Sequence, residues 1–232
     1  ATAYVAAYLE SLGLFPAGED GTFFHSFDFP AGSKLTDSNR MMVAGQELEL
    51  NRDWTPLSFS QNGEVPETGI VFAGYGMQIP ADDGTPEYDS YVHLNVADQW
   101  VIVLRDLPQE ITPERRQEMA RYSSPRRKAS IARDLGAKGI LFVSGPTSKV
   151  RNQLIRFDQA ASQASVSIAA LSITNDVAIK LLAAADSNLS KIQSELDDGS
   201  LQMGFPVGTA KASATIGIKR QRGTGRNVVA RL

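Results

Sequence analysis

The chain has 232 residues, 42% hydrophobic and 21% charged, with a formal net charge of −3. That is enough chain to bury a sizeable core, and so small an imbalance gives no reason to expect nucleic acid or an anionic membrane as partner. Cysteine is absent and only His25 and His93 occur, which excludes disulfide frameworks, thiolate metal sites and cysteine nucleophiles.

Along the chain, Val5, Tyr8, Leu9 and Leu12 fall at i, i+3, i+4 and i+7, and Gly13 stands where a C-terminal cap belongs. The spacing predicts a short amphipathic helix over Ala1–Leu12 rather than a leader peptide. After the turn at Leu14–Gly18, strands are expected over Phe23–Phe29, within Met41–Leu50 and at Ile70–Phe72. Trp100–Leu104 (WVIVL) is continuously apolar, as a strand covered on both faces requires. Thr112–Arg133 reads as helix in two pieces parted near Pro125, and Ile140–Val143 as a second buried strand, so the order strand, helix, strand predicts a parallel crossover. Val166–Ile173 is a further expected strand, Thr174 a candidate N-cap for a helix over Asp176–Ala185, and Ser190–Leu196 a short helical turn. Lys211–Lys219 alternates, and Asn227–Leu232 reads as the start of a new apolar strand, from which the chain is expected to continue. No apolar run approaches the length of a membrane span.

Catalytic signatures are missing. Neither HExxH nor GxSxG occurs. Gly74-Tyr75-Gly76 lacks the third glycine and following helix of a dinucleotide loop, and Gly223-Thr224-Gly225 precedes a strand rather than a helix. Asp82, Asp83, Glu87 and Asp89 lack calcium-loop spacing and read as a solvated loop. Glu114–Lys138 holds eight basic residues against three acidic ones; with Tyr122 its only aromatic, it reads as a solvated helix face, or as an electropositive rim for an acidic neighbour. The sequon Asn188-Leu189-Ser190 matters only in a glycosylating host.

Several segments in order carry a resemblance. Leu12–Gly18 after the first helix resembles the opening of the co-catalytic zinc exopeptidases, the family of bacterial aminopeptidases, glutamate carboxypeptidase and the transferrin receptor. Val71–Gly76, Tyr88–Tyr91 and Val101–Asp106 resemble the start of the protease-associated domain inserted in many of them. Lys128 with Gly136–Val143 is similar to that domain's "K…A…GA" helix and strand, and Ser167–Leu182 to its next strand and helix. Gly225–Ala230 is similar to the strand that returns to the peptidase core. One departure is that Asp98-Gln99 replaces the usual Gly-Lys pair before Trp100.

The resemblance implies an α+β, β-rich fold: a protease-associated domain (a swivelling β/β/α sandwich) over 50–219, flanked by peptidase-core pieces at 1–49 and 220–232. It implies a non-catalytic role in shaping substrate access or protein interaction, with the missing peptidase domain of the same polypeptide and a peptide or protein substrate as partners. Zinc is expected only in the full-length parent, on ligands beyond Leu232, so no catalytic or metal residue and no cofactor is assigned to this chain, and it is expected not to be an enzyme by itself. An extracytoplasmic location follows from the same resemblance. Candidate substrate- or partner-facing residues are Tyr75, Tyr88, Asp89 and Arg105, polar or aromatic groups in glycine-rich loops at strand ends, although a buried tyrosine anchoring a turn fits equally well. Two alternatives stay open: a stand-alone peptide- or protein-binding module, and a hydrolase using His93 with Asp89 or Asp98.

Overall fold

The computed structural model describes residues 1–82, 86–150, 153–160, 165–199 and 203–232; Asp83 of the acidic loop lies outside them. In chain order the elements are α1 (Thr2–Ser11), β1 (Phe15–Pro16), β2 (Phe24–Leu35), β3 (Arg40–Val43), β4 (Gln46–Glu47), β5 (Trp54–Pro56), β6 (Gly63–Phe72), β7 (Gln78–Ile79), β8 (Tyr88–Asp89) and β9 (Trp100–Leu104). There follow α2 (Pro113–Ala120), α3 (Pro125–Asp134), β10 (Gly139–Val143), β11 (Ala169–Ile173), α4 (Asn175–Ala183), α5 (Leu189–Asp197), β12 (Phe205–Ile216), β13 (Ile218–Val228) and β14 (Ala230–Arg231). The fold is mixed α+β and rich in strands. Two compact units divide it, a small one of Ala1–Lys34, Gln159–Ser162 and Lys219–Leu232, and a large one of Leu35–Asp158 and Gln163–Ile218. Residues 35–49 therefore contribute β3 and β4 to the large unit.

The large unit is built on an eight-stranded sheet in the order β4-β3-β12-β6-β9-β10-β11-β5. Its centre is parallel: β6 runs with β9, β9 with β10 and β10 with β11. The expected crossover from Trp100–Leu104 to Ile140–Val143 is thus formed, with α2 and α3 in the connection. Every residue of β9, β10 and β11 is buried, because helices cover both faces. On one face Trp100, Ile102, Leu104, Leu141 and Val143 pack with Leu181, Leu182, Ile192 and Leu196 of α4 and α5. On the other, Val101, Val103, Ile140 and Phe142 pack with Ala129 and Ala132 of α3. Gly139 makes the pairing of β9 and β10 possible, since a Cβ there would run into the Trp100 ring. At its margins the sheet is short: β4 has two residues and β5 three.

Local chemistry sets the helix starts. Ser124 accepts a hydrogen bond from the Arg127 amide and Pro125 occupies the first turn, so the break at Pro125 is a new helix beginning. Thr112 and Asn188 cap α2 and α5 in the same way, accepting from Arg115 and Lys191. Thr174 stands at the N-cap of α4 but its side chain makes no capping bond; the Asn175 amide is taken by Gln153 Oε1 at 2.9 Å.

In the small unit, β1 pairs antiparallel with β14, and β13 pairs with β2. Gly223-Thr224-Gly225 lies within β13, and a Cβ at Gly223 or Gly225 would press on Phe29 or Phe27. Of the stripe read on α1, Val5, Tyr8 and Leu12 are exposed and Leu9 is half-buried; Ala6 alone of that helix is buried, and Tyr4 is 78% exposed. Among the described residues no helix is long and apolar enough to cross a membrane.

Candidate functional site

Four parallel strands deliver their carboxyl-terminal loops to one margin of the sheet, the place where parallel α/β sheets hold ligands. The loop after β6 is Ala73–Met77, with Gly74 and Gly76 both at positive φ. Gly76 also approaches Val103 too closely to carry a side chain. Residues 105–112 follow β9, and residues 144–150 follow β10.

Two grooves open along this margin. One, of about 430 Å³, is lined by Tyr88, Asp89, Pro108, Ile111, Arg115 and Leu196 among others. The second, of about 620 Å³, includes Arg105, Asp106, Gln109, Arg116, Ser148 and Lys149. Loop 105–109 and α2 contribute to both, so they form the wall between the grooves.

The four candidate residues separate across this geometry. Tyr88 and Asp89 line the smaller groove and Arg105 the larger. Asp89 is already engaged, Oδ1 accepting from the Tyr91 amide at 2.7 Å and Oδ2 from Gln78 Nε2 at 3.1 Å. Burial raises the pKa of Tyr88. Arg105 lies 3.8 Å from Asp106. Tyr75, proposed from the sequence as surface-facing, is 1% exposed and points inward. It is held in the turn by the two flanking glycines, and its hydroxyl donates a short hydrogen bond to Asp197 Oδ1. Burial and the adjacent Asp197 carboxylate push its pKa strongly upward, keeping the phenol protonated.

The structure adds roles that sequence reasoning missed. Lys128, read as part of a solvated basic face, is 0% exposed. Its ammonium donates to the carbonyls of Leu104 at 2.9 Å, Arg105 at 3.1 Å and Asp106 at 2.9 Å. Burial lowers its pKa to about 7, with the nearby Asp106 carboxylate acting in the other direction. Asp197 is also buried; besides Tyr75 it accepts from the Gln109 amide at 3.0 Å and from Thr147 Oγ1 at 3.0 Å. Gln193, buried beside it, accepts from the Thr147 amide at 3.1 Å. A signal for Lys128 was present: it shares a helical face with Ala132, four residues on, and small residues on a basic helix mark where the helix lies against a sheet.

Among the described residues no hydrogen bond or ion pair joins His93 to Asp89 or Asp98. His93 is an exposed residue at positive φ, Asp89 is spent on Tyr91 and Gln78, and Asp98 pairs with Lys138 at 2.8 Å. His25 lies 3.9 Å from Glu19. Among the described residues no three His, Asp or Glu side chains are grouped closely enough to hold a metal ion. The sequon residue Asn188 uses its side chain to cap α5.

No protein-family model matches the chain, and no curated protein matches it. Among solved structures it is similar to BSAP, a zinc aminopeptidase from Bacillus subtilis, in two determinations with TM-scores of 0.43 and 0.42, both at 14% identity. Each match covers 99% of this chain and 39% of the other, so the chain spans about two-fifths of the length of those structures.

Proposed function

We propose that this chain is the non-catalytic, protease-associated part of a zinc exopeptidase, extracytoplasmic in location, whose zinc ligands lie on a further segment of the same polypeptide. The observation that carries this reading is the apolar surface of the small unit. Tyr4, Val5 and Tyr8 on α1, Leu12 at its C-cap and Phe15 on β1 are apolar side chains left facing solvent. Large apolar side chains exposed this close together in the sequence suit a docking face for another protein surface. In this reading its partner is the peptidase core, while the large unit presents its two grooves to peptide substrate, with Tyr88, Asp89 and Arg105 on their walls. A stand-alone peptide- or protein-binding module is the second reading, favoured by one fact: both grooves are complete within the large unit.

The test is turnover of aminoacyl-anilides by the 232-residue chain alone and by the chain joined to its downstream coding sequence. The expected result is no turnover above background for the chain alone, with or without added zinc, and chelator-sensitive turnover for the joined protein. Zinc-dependent turnover by the purified chain alone overturns the proposal. An inactive joined protein that lacks a histidine-containing segment favours the binding module instead.

A further inference from the structure

The wall between the two grooves is held from behind by two buried charges of opposite sign. Lys128 reaches from α3, on one face of the sheet, and takes the carbonyls of Leu104, Arg105 and Asp106. Asp197 reaches from the end of α5, on the other face, and takes the amide of Gln109; its own carbonyl takes the Glu110 amide at 3.1 Å. Tyr75 connects the two, its ring 5.6 Å from the Lys128 ammonium and its hydroxyl on the Asp197 carboxylate. Asp197 also holds Thr147, from the loop that carries Ser148 and Lys149. Each charge is neutralised by loop dipoles rather than by a directly bonded opposite charge.

Holding a loop this way is expensive in desolvation. A surface loop with only a packing role does not need a buried cation beneath one end and a buried anion beneath the other. We propose that Lys128, Tyr75 and Asp197 act together as positioning residues that fix Leu104–Glu110 in one conformation, setting the shape of both grooves before any ligand arrives. The inference deepens the reading of the grooves as the peptide-facing margin and rests on it for its purpose, but not for its measurement.

The clamp has a pH dependence set by donor count. An ammonium has three N–H groups for three carbonyls; the neutral amine has two, so one carbonyl of the set loses its bond. The groups facing Lys128 are few. Asp106 favours the ammonium from the loop after β9, the Tyr75 ring lies against it from the β6 loop, and Asp197 stands behind the Tyr75 hydroxyl. On its own helix, Arg126 and Arg127 are turned to the rings of Phe59 and Tyr122. With the pKa lowered to about 7, the third bond is lost as pH rises through neutrality.

Amide hydrogen exchange on the full chain tests this, with the Gln109 and Glu110 amides as reporters and those of β9 and β10 as the folding control. Lys128→Met, which keeps most of the length and removes the charge, is expected to speed exchange at Gln109 and Glu110 at least tenfold while the strands stay protected. Tyr75→Phe, which removes one hydroxyl, is expected to speed it roughly threefold. In the unsubstituted protein, protection corrected for intrinsic exchange falls between pH 6 and 8, and Lys128→Met abolishes that step. Arg127→Ala, an exposed cation on the same helix, leaves all reporters unchanged. Unaltered exchange at Gln109 and Glu110 in folded Lys128→Met and Tyr75→Phe, or a pH step that survives Lys128→Met, overturns the proposal. Where Lys128→Met fails to fold, Tyr75→Phe alone decides. Because no ligand is used, a failed clamp is distinguishable from a failed peptide reading, which is judged by turnover.

Discussion

Two stretches of apolar sequence, read by the same rules, meet opposite fates in this molecule. Trp100–Leu104 in the large unit is wholly buried, one face under α4 and α5 and the other under α3. The stripe read on the first helix of the small unit fares otherwise: Val5, Tyr8 and Leu12 stand exposed, Leu9 is half-buried, and Tyr4 and Phe15 beside it are exposed as well. Apolar periodicity states which side chains must leave water; it does not state which polypeptide segment covers them. In the large unit the covering elements are encoded within 35–218, and in the small unit no described element covers the pattern.

The contrast can be broken most forcefully at Trp100. Its ring is fully buried and its indole nitrogen donates to the Ala212 carbonyl at 2.9 Å. Trp100→Ala is expected to destabilise the large unit by about 3 to 5 kcal/mol. Urea unfolding followed by the remaining Trp54 fluorescence measures it, since both tryptophans lie in that unit.

A smaller effect comes from Lys128. Its folded pKa of about 7 lies below the ordinary 10.5, so between those values the unfolded chain binds the extra proton and the folded chain does not. Stability of the large unit is therefore expected to rise with pH from about 7 towards 10.5, by at most about 1.4 kcal/mol per pH unit, and to be lowest below 7. Urea midpoints at pH 7.5 and 9.5 check this, and Lys128→Met is expected to flatten the slope. A midpoint that falls with rising pH in the unsubstituted protein contradicts it.

The smallest effect sharpens the comparison from the other side. Tyr8→Ser and Phe15→Ser remove exposed apolar groups and are expected to change thermal stability of the chain by no more than about 0.5 kcal/mol. Both are expected to raise solubility and to weaken association with the peptidase segment supplied as a separate polypeptide. A loss comparable to that of Trp100→Ala would place these residues in a core after all.

Much of the central sheet was legible because continuous apolar runs bounded by turns leave little choice. WVIVL, the crossover to Ile140–Val143 and the two helices parted at Pro125 follow from that pattern and from capping chemistry. The margin of the sheet was legible only in part. Tyr88, Asp89 and Arg105 reach groove walls, but Tyr75 turns inward, since glycines at 74 and 76 permit a tight turn without saying which way its middle residue points. Lys128 was hidden among seven other basic residues between 114 and 138, and Asp197 falls just past the expected turn Ser190–Leu196, where nothing in the sequence marks it as buried. Charge in a sequence reads as solvation; only a packed neighbour, here the sheet under Ala129 and Ala132, reverses that reading.

The short margins of the eight-stranded sheet have a consequence for how the protein behaves in a crowd of its own copies. β4 ends the sheet after two residues, Gln46 and Glu47, both exposed, and β5 ends it after three, the last being Pro56, which has no N–H to offer. A long free edge is a template on which another chain can add a strand, and proteins blunt it with brevity, charge and proline. Here one border strand carries a carboxylate and the other a proline, so each outermost strand offers little backbone for intermolecular pairing.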